Sequence, residues 1–379
     1  MRILVITPYF YPHTGGSERY IEELYHAARQ LDQSIKVDIL TYNTDNAKKT
    51  KHYRGFTIYR VNCWEILRGQ FALPNYVELI KLARRLKANR YDLVNSHTRF
   101  FDNSWWTPLL AKYLGAKSIL TDHCADHPTH PNSLVSMVAK GVDYLVTPLI
   151  VRFYDRITVV SQATKNFIAK LGVKTATVIP GGINPQLFGK TTGNQMKQQL
   201  GIGKTDIVIT FVGRMIPAKN PGLVVAAAQT ITARFPHTMF VLAGDGDLLA
   251  KLKKAATAKI IFTGNLSRSK VINLLKASDI LVHPSVHHEG LPSVILEAAA
   301  AGCAVIATNR GGVAELIKPK RTGIIIKPTQ KSLQTAVIEL VNNSRQRGKL
   351  ASALRKLVIE NYNWKSIARE YLNLLNQIR

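Results

Sequence analysis

The sequence predicts an α/β protein built from two Rossmann-like domains that face each other across a cleft. Three observations predict it. The chain has 379 residues, too many for one ordinary α/β core and comfortable for two. Short β-branched runs alternate with helical patterns from end to end, the mark of βαβ units and parallel sheets. These runs are continuously apolar rather than alternating, as strands covered on both faces should be.

The elements follow in chain order. In the first half, strands are expected at residues 3–7, 37–41, 93–96, 118–121 and 157–160. Residues 43–60 are polar and Lys-rich and read as a surface excursion. Val178-Ile-Pro-Gly-Gly-Ile-Asn-Pro185 and the polar stretch 189–199 punctuate the chain, which puts the domain boundary there, giving domains of 1–185 and 186–363. In the second half, strands are expected at 207–212, 239–243, 260–263, 280–283, 304–308 and 323–326. The last helix, within 364–379, carries Ile367, Tyr371, Leu374 and Leu375 at helical spacing and must pack somewhere, with the first domain as one candidate.

Charge and cysteines narrow the setting. The formal charge is +27, with 24 Lys/Arg against 14 Asp/Glu up to Pro185 and 27 against 10 beyond it, so the excess is not a tail. Anionic lipid, nucleic acid and phosphorylated small molecules are all partners such a chain attracts. No nucleic-acid module and no interleaving of aromatic with basic residues is visible, which argues against nucleic acid. Cys63, Cys124 and Cys303 are odd in number and widely spaced, which fits a reducing compartment. The first apolar run is too short for a signal-peptide core, so a cytoplasmic protein is expected. Residues 133–154 are apolar but interrupted by Lys140, Asp143, Pro148 and Arg152, so they should not span a bilayer. Alone they suit a core-facing helix; the charge tips the reading towards docking on the inner membrane face.

Some motifs are decoys. Gly201-Ile-Gly-Lys-Thr205 lacks the first P-loop glycine and precedes a strand. Asp245 and Asp247 sit in a Gly-rich strand-to-helix turn, where Gly and Asp serve as turn and cap residues rather than metal ligands. His287-His288-Glu289 lacks the second helical histidine of a zinc-hydrolase motif. No Gly-x-Gly-x-x-Gly follows the first strand, which counts against a dinucleotide oxidoreductase.

The informative stretch runs from His283 to Gly302. A strand ends, a loop carries Glu289-Gly290-Leu291, Pro292 admits a first helical turn, Glu297 lies inside the helix and Gly302 stops it. A helix N-terminus favours an anion, and carboxylates beside it suit the hydroxyls of a ribose or sugar. Gly311-Gly312 adds a second tight turn. This pattern, PSxxxEGLPxxxLEAxAxG with Glu289-x7-Glu297, resembles glycosyltransferase family 4. Phe211-Val-Gly213-Arg214 through Lys219, Phe262-Thr-Gly-Asn265, Val178-Ile-Pro-Gly-Gly182, Pro12-His-Thr-Gly15-Gly16 and Leu120-Thr-Asp-His123 resemble its other elements.

The resemblance implies a GT-B fold, an acceptor-side first domain and a donor-binding second domain. It implies retaining transfer from a UDP- or GDP-sugar to a glycan or lipid-linked acceptor, with no metal and no other cofactor. Gly213, Arg214 and Lys219 would bind the donor diphosphate, Glu297 the ribose, and Glu289, Gly290, Leu291 and Asn265 the rest of the donor. Gly15 and Gly16 would let backbone approach the diphosphate without a β-carbon in the way. His123 would meet the donor sugar, and His97 is a candidate on the acceptor side. A sugar-nucleotide 2-epimerase shares the fold and stands as the alternative enzyme; the Glu-x7-Glu element with Gly-Arg…Lys fits transfer better.

Overall fold

The computed structural model describes residues 1–13, 15–66, 71–128, 132–189 and 193–378. Thr14 of the glycine loop, residues 190–192 of the interdomain stretch and Arg379 lie outside them. The chain divides into two compact units, Met1–Gly181 with Trp364–Arg379, and Gly182–Asn363. The break precedes Pro185 because Ile183 already belongs to the second unit. Its amide donates to Tyr362 O at 2.8 Å, it bridges Asn363, and its side chain is buried in that unit's core.

The first unit runs β1 (Arg2–Ile6), α1 (Gly16–Leu31), β2 (Lys36–Tyr42), β3 (Thr50–Tyr53), β4 (Phe56–Val61), β5 (Cys63–Ile66), β6 (Phe71–Pro74), α2 (Tyr76–Leu86), β7 (Leu93–His97), α3 (Asn103–Leu114), β8 (Lys117–Asp122), α4 (Ser133–Ile150), β9 (Arg156–Val159), α5 (Gln162–Lys170) and β10 (Thr177–Val178). Its main sheet has the order β10-β9-β8-β7-β1-β2-β4-β3, parallel except for the β3–β4 hairpin. That hairpin corrects the reading of 43–60 as an excursion. Polar residues hide the strand in the sequence, but Phe56, Ile58 and Val61 are buried and β4 pairs in parallel with β2.

The second unit runs α6 (Asn194–Gln199), β11 (Ile207–Val212), α7 (Pro221–Arg234), β12 (Thr238–Ala243), α8 (Leu249–Lys254), β13 (Ile260–Gly264), α9 (Arg268–Ala277), β14 (Ile280–His283), α10 (Ser293–Ala301), β15 (Ala304–Thr308), α11 (Val313–Leu316), β16 (Ile324–Ile326), α12 (Gln330–Asn342) and α13 (Ser344–Asn361). All neighbours in the order β13-β12-β11-β14-β15-β16 are parallel. In both units strand order reverses beside the first strand, between β1 and β7 and between β11 and β14. Open α/β sheets bind ligands at that switch point, beyond the strands' carboxyl ends.

Right-handed crossovers put α2 to α5 on one face of the first sheet and α1 on the other. Helix α14 (Trp364–Ile378) returns to this unit and packs on α1. Its Tyr371 hydroxyl lies 2.8 Å from that of Tyr25, and Asn95 of β7 donates to both, at 3.0 and 2.8 Å. Asn95 Oδ1 in turn accepts from Thr121 Oγ1 at 3.0 Å. A polar residue in a buried strand is therefore satisfied by the terminal helix.

Helix α4 is built inside out. Its buried residues are Asp143 and Thr147, while Leu134, Met137, Val138, Leu145 and Leu149 are more than half exposed, with Leu145 at 72%. Val135, Ala139, Val146 and Ile150 are part-buried, with Ile150 packed on a core cluster, so polar and apolar residues together hold the helix down. By length and composition Ser133–Phe153 is apolar enough to cross a bilayer. Yet it connects β8 to its parallel neighbour β9, so it must lie along the sheet.

Replacing Tyr371 by Phe should lower the stability of the first unit by about 1–2 kcal/mol, because Asn95 keeps a buried donor with one acceptor removed. Urea unfolding followed by tyrosine fluorescence measures this; an unchanged midpoint would contradict the network.

Candidate active site

The carboxyl ends of β11 and β14 bring together the second unit's charged residues. After β11 the chain makes a short helical turn, Pro217–Lys219, and after β14 the loop to α10 carries Glu289. Hydrogen bonds join the two: Val286 N and Ser285 Oγ both donate to Ala218 O, at 3.0 and 3.1 Å. Lys219 Nζ forms an ion pair with Glu289 Oε2, and His283 Nε2 lies 3.0 Å from Oε1. Burial works against the Glu289 charge. The adjacent Lys219 ammonium and His283 outweigh it and hold the carboxyl well below the usual carboxylate range.

The turn after β15 supports this loop from below. Gly312 N donates to Glu289 O at 3.0 Å. Gly311 has φ +55°, and a β-carbon there would lie 1.8 Å from Glu289 O, so only glycine lets the strands approach this closely. Gly290 is buried and Leu291 partly so. Glu297 is buried inside α10, at 6% exposure. Gly213 N donates to Ala243 O at 3.0 Å, which leaves Arg214 exposed at the end of β11. Asn265 is exposed beyond β13, two strands from β11.

The first unit gathers its own cluster at the ends of β7 and β8. His97 Nδ1 and His123 Nε2 are 2.9 Å apart. The Tyr20 ring meets that of His123 edge-on at 4.9 Å and donates its hydroxyl to Ile179 O. His123 is part-exposed, but His97 is fully buried. This corrects the acceptor-side reading of His97: an enclosed ring presents no atom to an acceptor and sits behind His123 instead. Burial lowers the pKa of both, that of His123 to about 3, and in His97 the His123 charge adds to the effect. Both rings are therefore neutral at physiological pH.

The glycine loop leads into α1. Gly15 has extended dihedrals, not left-handed ones, and a β-carbon there would come 2.4 Å from Glu18 Oε2. A β-carbon on Gly16 would meet nothing within 4 Å in the protein itself.

Sequence reasoning missed His283, Arg99 and Asp143. His283 shares a six-residue loop span with Glu289, a signal that was available. Arg99 donates through all five of its N–H groups at 2.5–3.2 Å, to Asp122, Asp143 and the carbonyls of Cys124 and Asp126. Among the described residues no group of three His, Cys, Asp or Glu is arranged to hold a metal ion.

The buried imidazoles dictate a pH response. The unfolded chain binds protons on His97 and His123 below about pH 6.5, whereas the folded state resists them down to a much lower pH. Stability should therefore fall as pH drops from 6.5 towards 3, and the loss should be shallower in His123→Gln. Melting temperatures across that range test this; equal slopes in both proteins would show that the ring titrates normally.

Comparison with known proteins agrees with this architecture. Residues 14–187 match the model of Glycosyltransferase Family 4, and residues 193–357 match that of Glycosyl transferases group 1. The chain is 25% identical to an uncharacterized glycosyltransferase of Methanocaldococcus jannaschii, over 100% of this chain and 99% of that protein. It is 26% identical to a GDP-mannose-dependent monoacylated alpha-(1-6)-phosphatidylinositol monomannoside mannosyltransferase of Corynebacterium glutamicum, over 99% and 97%. Among solved structures, Anabaena HepE in complex with UDP-glucose superposes with a TM-score of 0.80 at 18% identity, over all of both chains. Two parallel Rossmann-type sheets and matches spanning nearly the whole chain lead to one conclusion: this is a GT-B glycosyltransferase, and it belongs to glycosyltransferase family 4.

Proposed function

We propose that this enzyme transfers a sugar from a UDP- or GDP-sugar, with retention and without a metal ion, to a lipid-linked or glycan acceptor at an anionic membrane surface. The observation that carries the donor half is the Lys219–Glu289–His283 cluster at the switch point of the second sheet, with exposed Arg214 five residues before Lys219 in the chain. When the bond from the anomeric carbon to the diphosphate breaks, negative charge grows on the leaving phosphate. Arg214 and Lys219 stabilise that charge more than the ground state, which raises turnover and takes over the task a divalent cation has elsewhere. Glu289 fixes the Lys219 ammonium in place before the donor arrives. Glu297 is assigned to the ribose hydroxyls, Gly213, Gly290, Leu291 and Asn265 to further donor contacts, Gly15 and Gly16 to the diphosphate, and His123 to a sugar hydroxyl. A relative acting on phosphatidylinositol mannoside supports the lipid acceptor.

The membrane half rests on α4. A helix that buries Asp143 and Thr147 while exposing leucine, valine and methionine loses apolar exposure only by meeting another apolar phase. Val77 and Ile80 of α2 and Leu109 of α3 are exposed on the same face of the sheet. The chain's +27 charge supports an anionic bilayer as the occupant.

Lys219→Ala and Arg214→Ala should each reduce turnover by roughly 10²–10³, and excess EDTA should leave wild-type activity intact. The assay is transfer or slow hydrolysis with a panel of UDP- and GDP-sugars. Full activity in both variants would displace the site, and manganese-restored activity after EDTA would end the metal-free mechanism. In flotation, the protein should rise with vesicles containing phosphatidylglycerol at low salt and less so at high salt, as screening shortens the reach of its charges. Equal recovery in the soluble fraction under every condition would leave a soluble-acceptor enzyme.

A further inference from the structure

The apolar face of α4 and the His123 loop are parts of one rigid linkage, and Arg99 is the link. Arg99 is 3% exposed and follows β7. Its Nε and Nη2 grip the two oxygens of Asp143 at 3.0 and 2.9 Å, a bidentate pairing that fixes direction as well as distance. Its remaining donors reach Asp122 Oδ2 at 2.5 Å, Cys124 O at 3.2 Å and Asp126 O at 2.8 Å. Those three residues bracket His123 on both sides. Thr147, one turn along α4, donates to Asp143 Oδ1 at 2.7 Å, and His127 Nδ1 lies 2.7 Å from Oδ2. Asp143 is the fully buried α4 residue that bonds beyond its own helix, so the helix is fastened to this loop as well as through part-buried Ile150 on the core.

We propose that Arg99 is a positioning residue that ties His123 to the docking helix, so that seating the exposed face of α4 on an anionic bilayer steadies the loop 122–127. The inference rests on the proposed docking role of α4. A guanidinium with every donor engaged has no alternative arrangement of equal energy, so movement of Asp143 moves Arg99, and Arg99 carries Asp122 and the Cys124 and Asp126 carbonyls with it.

The test is hydrogen–deuterium exchange of the full-length protein with and without vesicles of phosphatidylcholine and phosphatidylglycerol, with flotation run in parallel. Wild-type protein should bind, and exchange at 122–127 should slow several-fold on binding. Asp143→Asn should bind vesicles equally while that slowing disappears, and Leu145→Glu should lose both binding and slowing. If Asp143→Asn does not fold by circular dichroism, Arg99→Lys takes its place, since lysine keeps the charge but not the fork. Wild-type binding with unchanged exchange at 122–127 overturns the linkage and leaves docking standing, as does slowing that persists in the variant. Absence of wild-type binding overturns the docking reading, and the linkage with it.

Discussion

A parallel sheet covered by helices on both faces leaves only the ends of its strands open to chemistry, and the rest of this molecule follows from that constraint. Side chains in the middle of β1, β7, β11 and β14 are sealed, so functional groups collect where those strands stop. The reversal of strand order separates neighbouring loops and opens room at β1/β7 and β11/β14. His97 and His123 end adjacent strands in one unit, while Gly213-Arg214 and His283 end adjacent strands in the other. The two units arrive at the same solution with different chemistry: neutral imidazoles in the first, a lysine–carboxylate pair in the second.

Lys219 and Glu289 form an ion pair between the turn after β11 and the loop after β14. A lysine on a flexible stem loses rotamer freedom when it binds a phosphate, and an existing carboxylate partner has already taken that loss. About a fifth of each side chain is exposed, and the ammonium keeps the largely enclosed Glu289 carboxyl ionised. Gly311 and Gly312 act from the other side, where close backbone contact fixes the peptide that carries Glu289.

What the sequence made legible was what is local in the chain. The β14–loop–α10 segment holds strand end, carboxylates, helix start and helix stop within twenty residues, so spacing alone placed Glu289 in a loop and Glu297 in a helix. β11, β14 and β15 were bounded as the structure has them, because their apolar runs end at polar or Gly residues. β4 was hidden, since a strand joined through a Lys-rich hairpin has little composition to betray it. Arg99 was invisible for another reason. Its carboxylate partners lie 23 and 44 residues away, and no period or motif links them. His97 was seen but misplaced, because position at a strand end does not say whether a ring faces outward or lies behind its neighbour.

Helix α4 shows why amphipathic spacing alone is ambiguous. The period of its leucines and valines identifies a stripe, but a stripe has no sign: the same spacing serves a helix turned inward or outward. The sign comes from the polar residues opposite, and here Asp143 has a buried guanidinium waiting for it. Without Asp143, the Nε and one Nη2 donor of Arg99 would be left buried without an acceptor, a cost that a paired Asp143 removes. These bonds favour the inward side of the helix together with its part-buried Val135, Ala139, Val146 and Ile150. The stripe of Leu134, Val138, Leu145 and Leu149 is left on the outward side.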